Sequence, residues 1–277
     1  MPELAGDEFA GWIGRTREAE DEITRPALAR ICAMLGDPRR FAPGDAVPAH
    51  WYAMFFPELA PPSGLGPDGH PAKGEFLPPV PLPRRMFAGR RVALLGSLRA
   101  GDAAVKRSTI TAITPKRGRS GAMVFVTLRH EFAVRGEVVI TEEQDVVYRE
   151  ATTGGSATGG ASEGEAAPAG AWREAFTPDP VLLFRYSAIT FNGHRIHYDA
   201  DYVRDVEGYP GLVVNGGLTL LMLLEAAGRA IGGVPTRYTA RNLRPLFAGL
   251  PVTVGGDAEG VWAADAAGRL AVRVTFG

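Results

Sequence analysis

The sequence predicts an α+β fold built from two units of one plan, each an apolar helix followed by a meander of long antiparallel strands. Three observations predict it. Leu218 to Leu224 is an almost unbroken apolar run, and a helix without a polar stripe must be covered all round rather than laid on a surface. A second helical pattern at about 24–35, with Leu28, Ile31, Cys32 and Leu35 at helical spacing, is followed by four elongated strand patterns. Between the two lies ATTGGSATGGASEGEAAPAG (151–170), which holds no aromatic residue and no aliphatic larger than Ala. That is linker composition, and the same order of elements resumes beyond it.

In chain order, residues about 7–19 carry Phe9, Trp12 and Ile13 on one helical face. The helix at about 24–35 has Pro26 in its first turn and stops at Gly36-Asp37-Pro38. From Phe41 to Arg90 prolines and glycines are dense and periodicity is lost; a loop this long inside a domain is usually functional or interfacial. Strand patterns follow at about 91–99, 103–115, 121–134 and 136–149, separated by Gly-containing turns. Domain limits follow as 1–150 and 179–277, with a flexible tether over 151–178. In the second unit the reading is a strand at about 181–190, a polar loop, a helix at about 215–231, and strands at about 237–247, 251–262 and 268–276.

Composition narrows the function classes. The chain has 277 residues, 45% apolar and 22% charged, and 30 basic against 31 acidic residues give a net charge of -1. Without a basic excess, nucleic acid is not an expected partner. The single cysteine, Cys32, excludes an internal disulfide and a thiolate cluster. The N-terminal stretch is polar and acidic and no apolar run reaches transmembrane length, so no signal peptide or membrane association is expected, and the expected location is the cytoplasm.

The chemistry-bearing stretch is FNGHRIHYDADYVRDVEGYPGLVVNGGLTLLMLLEAAGRA, Phe191 to Ala230. A short polar loop carries Asn192, His194 and His197. Asn215 is a good N-cap for the apolar helix, and Gly216 and Gly217 leave its first amides bare, so that the helix start can approach a carbonyl oxygen or an anion closely. Taken alone, His197 is either a base that titrates near neutral pH or a histidine satisfied by a nearby carbonyl. Asp199 and Asp201 are nearby carboxylates and also obvious N-caps. Glu225 and Arg229 are most simply a helix-surface pair. The segment Pro83 to Arg91, with Arg84 and Arg85, is either a phosphate-binding cluster or a solvated charge run, as are Lys116, Arg117 and Arg119. Tyr186, Tyr198 and Tyr209 either line a pocket or pack in the core.

The loop, with GYPGLVV ahead of the helix, resembles the MaoC-like hot-dog hydratases and dehydratases of enoyl thioesters. The wording is nearest the double hot-dog subgroup of mesaconyl-C4-CoA and itaconyl-CoA hydratases and mitochondrial type 2 3-hydroxyacyl-thioester dehydratases. In the first half, GPDGHPAKGEFLPPVPLPRRMFAGRRV (Gly66 to Val92), KRGRSGAMVFVTLRHEF (Lys116 to Phe132) and EEQDVVYRE (Glu142 to Glu150) resemble the N-terminal half of the same subgroup, a half of fatty-acid-synthase dehydratase type. The resemblance implies a double hot-dog, two antiparallel sheets each wrapped around a central helix, with reversible, R-type hydration of an enoyl-CoA or acyl-carrier-protein thioester and no cofactor or metal. It implies a homodimer. His197 matches the family's catalytic histidine, whereas Asn192 stands where most members have an acid, and Asn215-Gly216-Gly217 stands where many have His-Gly-Pro. An amide cannot act as a base but can position water. The resemblance thus assigns His197, Asn192, Gly216 and Gly217 to catalysis. It assigns Asn215, Arg195, Tyr186, Arg84 and Arg85 to substrate binding, Arg195 being open to a substrate carboxylate, a CoA phosphate or solvent.

Overall fold

The structure, a computed structural model, describes residues 6–118, 121–150 and 164–277. Most of the low-complexity tether, 151–163, and Arg119 lie outside the described residues. The strands are β1 (Thr16–Glu22), β2 (Arg84–Leu94), β3 (Ala103–Gly118), β4 (Gly121–Val134), β5 (Glu137–Arg149), β6 (Trp172–Phe176), β7 (Arg237–Asn242), β8 (Val252–Gly256), β9 (Gly260–Ala264) and β10 (Leu270–Phe276). The helices are α1 (Arg25–Leu35), α2 (Pro180–Thr190), α3 (Ala200–Asp205) and α4 (Gly216–Ile231).

The strands form a single antiparallel sheet in the order β1-β3-β4-β5-β2-β7-β10-β9-β8-β6. Each half contributes five neighbours, and the halves join edge to edge where β2 pairs with β7, from Gly89 opposite Arg241 to Ala93 opposite Arg237. The two expected sheets are therefore fused, and no edge is left open at the junction. Gly89 makes this pairing possible, since a Cβ there would collide with the carbonyl oxygen of Ala240. Leu28 and Ile31 of α1 and Leu218, Leu221 and Leu224 of α4 belong to one continuous core with Phe132, Ile140, Val252 and Val272. A second core, around Ile110, Val124, Val126 and Tyr148, lies under the far ends of β3–β5 and is closed by Phe76, Val80 and Leu82. This is the double hot-dog expected.

Three local expectations are corrected. Residues 7–19 are not a helix: a 3-10 helix covers Gly6–Trp12, and Thr16–Glu22 forms the edge strand β1 on β3. Gly11 and Gly14 weaken a helix there, and TREAEDE pairs through its backbone and cross-strand charges such as Glu18 with Arg107 at 2.8 Å. Residues 181–190 are a helix, because Asp179 accepts from the Leu182 N–H at 2.7 Å with Pro180 in the first turn, a start signal that outweighs the strand-like composition. Residues 251–262 fold as the hairpin β8–β9, turning at Asp257, which accepts from the Glu259 N–H at 2.9 Å. In addition, β6 pairs with β8 inside the span 151–178, so ordered pairing of the second half begins ahead of residue 179.

Candidate active site

The start of α4 is built differently from an ordinary capped helix. Asn215 is buried, yet its side chain makes no capping bond. Its Nδ2 donates instead to Ser187 Oγ at 3.4 Å, and its Oδ1 is buried without a hydrogen-bond partner. Gly216 sits against Asn242 and Phe87, at the strand junction between the halves. A Cβ on Gly217 would collide with the hydroxyl of Tyr186, which α2 delivers to the helix mouth. Close approach of Tyr186 thus favours glycine at 217, while at 216 a side chain would be only tight against Asn242. Burial pushes the Tyr186 phenol up to about 12, so it stays protonated and able to donate.

His197 ends a 3-10 turn, Arg195–His197, between α2 and α3. It is buried, and its Nδ1 donates to the Val213 carbonyl at 2.7 Å. That bond fixes the tautomer and leaves Nε2 with a lone pair. Burial lowers the imidazole to about 4, with the Val213 carbonyl working the other way, so the ring is neutral at pH 7. Asn192 Oδ1 accepts from the His194 N–H at 3.0 Å, which shapes the loop. The His194 ring stands edge-on to His197, centroids 5.3 Å apart.

The first half adds a part that sequence reasoning did not single out. Within the long Pro/Gly-rich segment, residues 66–70 form a tight loop closed by the Gly66 N–H on the His70 carbonyl at 2.7 Å. Backbone is laid on backbone here: the Arg195 N–H donates to the Asp68 carbonyl at 2.9 Å, and a Cβ at Gly69 would collide with the Gly193 carbonyl. Gly69 also has φ of 85°, in the left-handed region. The loop presents His70 to His194, ring centroids 3.9 Å apart, with His70 Nδ1 bonded to Asp68 Oδ2 at 2.9 Å. Burial would raise the Asp68 carboxyl, but its bonds with His70 hold it well below the usual carboxylate range. Asp68, His70 and His194 each bring a donor atom within 4.8 Å of the others. The Asp68–His70 bond commits His70 Nδ1 and orients its ring. The signal in the sequence was the Asp-Gly-His wording inside a segment too long to be a plain connection.

These groups open onto one cavity of about 1680 Å³, lined from both halves. Its walls include Asn192, His194, His197, Asn215, Gly216, Gly217 and Tyr186 from the second half and His70, Arg84, Arg85, Arg90 and Lys106 from the first. The basic segment around Arg84 is not a loop but the central strand β2. Arg84 donates to the Glu207 carbonyl at 2.6 Å and stacks over Tyr209. Arg90 points inward, 3.4 Å from Glu142, while Arg91 points outward and pairs with Asp145 at 2.7 Å. Tyr198 and Tyr209 also line the cavity.

Other candidates are used elsewhere. Arg195 is held by Asp199 at 2.7 Å and by the Pro67 carbonyl at 3.2 Å, stacks over Tyr202, and is not part of the cavity wall. Asp199 caps α3 by accepting from the Tyr202 N–H at 2.9 Å, and Asp201 pairs with Arg204 on the surface. Glu225 and Arg229 do not pair. Glu225 accepts from Trp51 Nε1 at 2.6 Å and lies 2.8 Å from His50 Nε2, while Arg229 bonds Glu174 at 2.6 Å. A half-buried carboxylate on α4 is drawn to donors of the first half, which outcompete an exposed i,i+4 partner.

Comparison with known proteins fits this architecture. A family model for hydroxyacyl-thioester dehydratase type 2 matches residues 49–248. The mesaconyl-C(4)-CoA hydratase of Chloroflexus aurantiacus is 41% identical over 246 residues, covering 88% of this chain and 87% of that protein. The mitochondrial hydroxyacyl-thioester dehydratase type 2 of Schizosaccharomyces pombe is 38% identical over 82 residues, 28% of this chain and 27% of its own. Among solved structures, a MaoC-like dehydratase superposes with a TM-score of 0.70 at 14% identity, covering 97% of this chain and 99% of its own. A Mycobacterium tuberculosis protein described as a double hot-dog superposes with a TM-score of 0.56 at 15% identity, covering 95% of each chain. This chain belongs to the hydroxyacyl-thioester dehydratase type 2 family.

Proposed function

We propose that this hydro-lyase adds water reversibly across the double bond of an enoyl-CoA, forming an R-type 3-hydroxyacyl-CoA, with a short branched or dicarboxylic acyl group of the mesaconyl-C4 or itaconyl kind. The observation that carries it is His197, its Nδ1 committed to Val213 and its Nε2 left in the cavity onto which the uncapped start of α4 opens. In this reading the thioester carbonyl lies against the Gly216 and Gly217 N–H groups, with the Tyr186 hydroxyl as a further donor. These groups hold the negative charge that builds on oxygen as the enolate forms. His197 Nε2 takes a proton from water while the water oxygen bonds the β-carbon. Asn192, its carbonyl used by the loop, keeps an amide to orient that water. Asn215, Arg84 and Arg85 lie along the substrate's path. Arg195, engaged with Asp199, is withdrawn from that role.

A dicarboxylic acyl group is supported by Lys106, one cation of a cavity wall that carries acidic groups such as Glu58 and Glu207 as well. Lys106 lines the cavity and forms no salt bridge within 4 Å among the described residues, with Glu142, Glu58, Arg17 and the half-buried Arg90 as the charges around it. Burial lowers the Lys106 ammonium, a penalty that an entering carboxylate offsets. The 41% identical hydratase is named for such a substrate. The chemistry calls for no metal or redox group. A homodimer in the cytoplasm completes the reading; among the described residues no helix is long and apolar enough to cross a membrane. A second reading, dehydration of a 3-hydroxyacyl chain on an acyl carrier protein, is supported by the cavity volume, which exceeds the roughly 300–1,000 Å³ usual for small-ligand pockets.

The test is hydration of mesaconyl-C4-CoA and crotonyl-CoA followed by loss of enoyl absorbance. His197→Ala should lower kcat by about 10²- to 10⁴-fold while thioester affinity stays within a few-fold. Full activity in that variant would remove His197 from the mechanism. Saturable binding with no turnover by the wild type would select a thioester-binding protein instead.

A further inference from the structure

We propose that His70, with Asp68 behind it, is a second catalytic residue, contributed by the first half, that exchanges the proton at the α-carbon. The inference rests on the hydratase reading above and goes beyond it by assigning the group that reading leaves out. Hydration needs two proton movements: one from water, one to the α-carbon. His197 accounts for the first, and Asn192 at the same loop cannot titrate. Among the described residues of the cavity wall, the Asp68–His70 pair is the arrangement in which an imidazole is backed by a carboxylate. His70 Nδ1 is spent on Asp68 at 2.9 Å, so Nε2 is the nitrogen free for the cavity that His70 lines. A carboxylate behind an imidazole orients the ring and stabilises the charge gained when the far nitrogen is protonated.

The placement is built rather than incidental. The Arg195 N–H bonds the Asp68 carbonyl at 2.9 Å, Arg195 Nη1 bonds the Pro67 carbonyl at 3.2 Å, and Gly69 and Gly193 lie backbone to backbone. These contacts tie the loop carrying His70 to the loop carrying His197, and the His194 ring contacts both histidines, with centroids 3.9 Å from His70 and 5.3 Å from His197. Arg195 is thus a positioning residue.

The step balances without a further reactant. Water oxygen bonds the β-carbon and its proton goes to His197 Nε2. The π electrons move to the α-carbon through the thioester enolate, and that carbon takes the proton carried on His70 Nε2. His70 is then neutral and His197 protonated, and passage of one proton back through His194 or solvent restores both. Dehydration is the reverse.

The test compares His70→Ala, His70→Gln and Asp68→Asn in the full-length chain, with mesaconyl-C4-CoA and crotonyl-CoA as probes. His70→Ala should lower kcat by about 10²-fold or more, with KM within a few-fold, and added imidazole should restore part of the lost rate. His70→Gln, which keeps the bulk and a donor, should be as slow as His70→Ala, and Asp68→Asn should lose less than either. A His70→Gln rate near wild type while His197→Ala is inactive would overturn this proposal and leave the hydratase reading standing. So would a loss confined to KM. Wild-type activity abolished by a chelator and restored by zinc would replace the proton-carrying role of His70 with a metal site. No turnover of either ester by the wild type would overturn both.

Discussion

Helices α1 and α4 both lend side chains to one core, α1 through one face with Ala29, Arg30 and Ala33 exposed and α4 covered nearly all round, and they begin in opposite ways. At α1, Thr24 Oγ1 accepts from the Ala27 N–H at 3.3 Å, and Pro26 occupies the first turn. At α4, Asn215 turns away to Ser187 and two glycines follow. α2 and α3 are closed as α1 is, by Asp179 and Asp199. A helix start leaves several N–H groups without an intrahelical partner. Three of the four described α-helices satisfy part of that need from the protein. The fourth opens it to a cavity, and there lies the candidate chemistry. The missing cap is as informative as a catalytic side chain.

The strongest way to break the contrast is to fill the open start. Gly217→Val places side-chain carbons where the Tyr186 hydroxyl stands, so the phenol and the carbonyl of a substrate are both displaced. Loss of an oxyanion donor is worth about 10²- to 10³-fold in kcat, and a fall of kcat/KM of that size is expected in a chain whose circular dichroism is unchanged. Near-normal kinetics would show that the bare start serves packing alone.

Next in size is a pH effect. His197 in the second half and His130 in the first are both buried, and burial lowers both to about 4. Their folded values lie below the ordinary histidine value of about 6.5, so between those two values the unfolded chain binds more protons than the folded one. Stability should therefore fall as pH drops from about 6.5 toward 4 and be insensitive to these groups above that window. Urea midpoints across the window measure it. His197→Gln and His130→Gln should each flatten the slope, and an unaltered slope in both would assign acid sensitivity to other groups.

What could be read from the sequence follows the same physics. α4 and α1 were legible because an apolar run bounded by Gly, Asn or Pro is strong punctuation, and β3–β5 because long alternating segments between Gly turns admit few other folds. α2 was not: Val181 to Ile189, mostly apolar with Arg185 and Ser187 inside it, shows no clear helical stripe and suits a strand as well as a helix until Asp179-Pro180 is given its weight. β1 was not, because TREAEDE has no apolar face and is a strand only through its pairing with β3. His197 and the glycine pair could be named from one short stretch. Arg90 could not, since a charged residue in a basic run reads as solvated until the strand turns it inward toward Glu142. Asp68 and His70 were hidden for a tertiary reason: their partners Gly193, His194 and Arg195 belong to the other half of the chain.

The smallest effect separates the two helix starts by stability alone. Thr24→Ala removes a working cap, which costs about 0.5–2 kcal/mol, and for a chain of this length that lowers Tm by roughly a few degrees. Thr24 is not part of the cavity wall, so kcat/KM should be unchanged. Asn215→Ala is the matched change at α4. No capping bond is lost there, and the truncation also removes a buried Oδ1 that lacks a partner, which lessens the penalty. Its effect should therefore fall mainly on turnover, with Tm lowered less than by Thr24→Ala. Calorimetry and kinetics on the two variants read both axes. If Asn215→Ala proved the more destabilising with turnover intact, the side chain would be holding α4 in place through Ser187, and the open start would owe its form to packing rather than to a substrate.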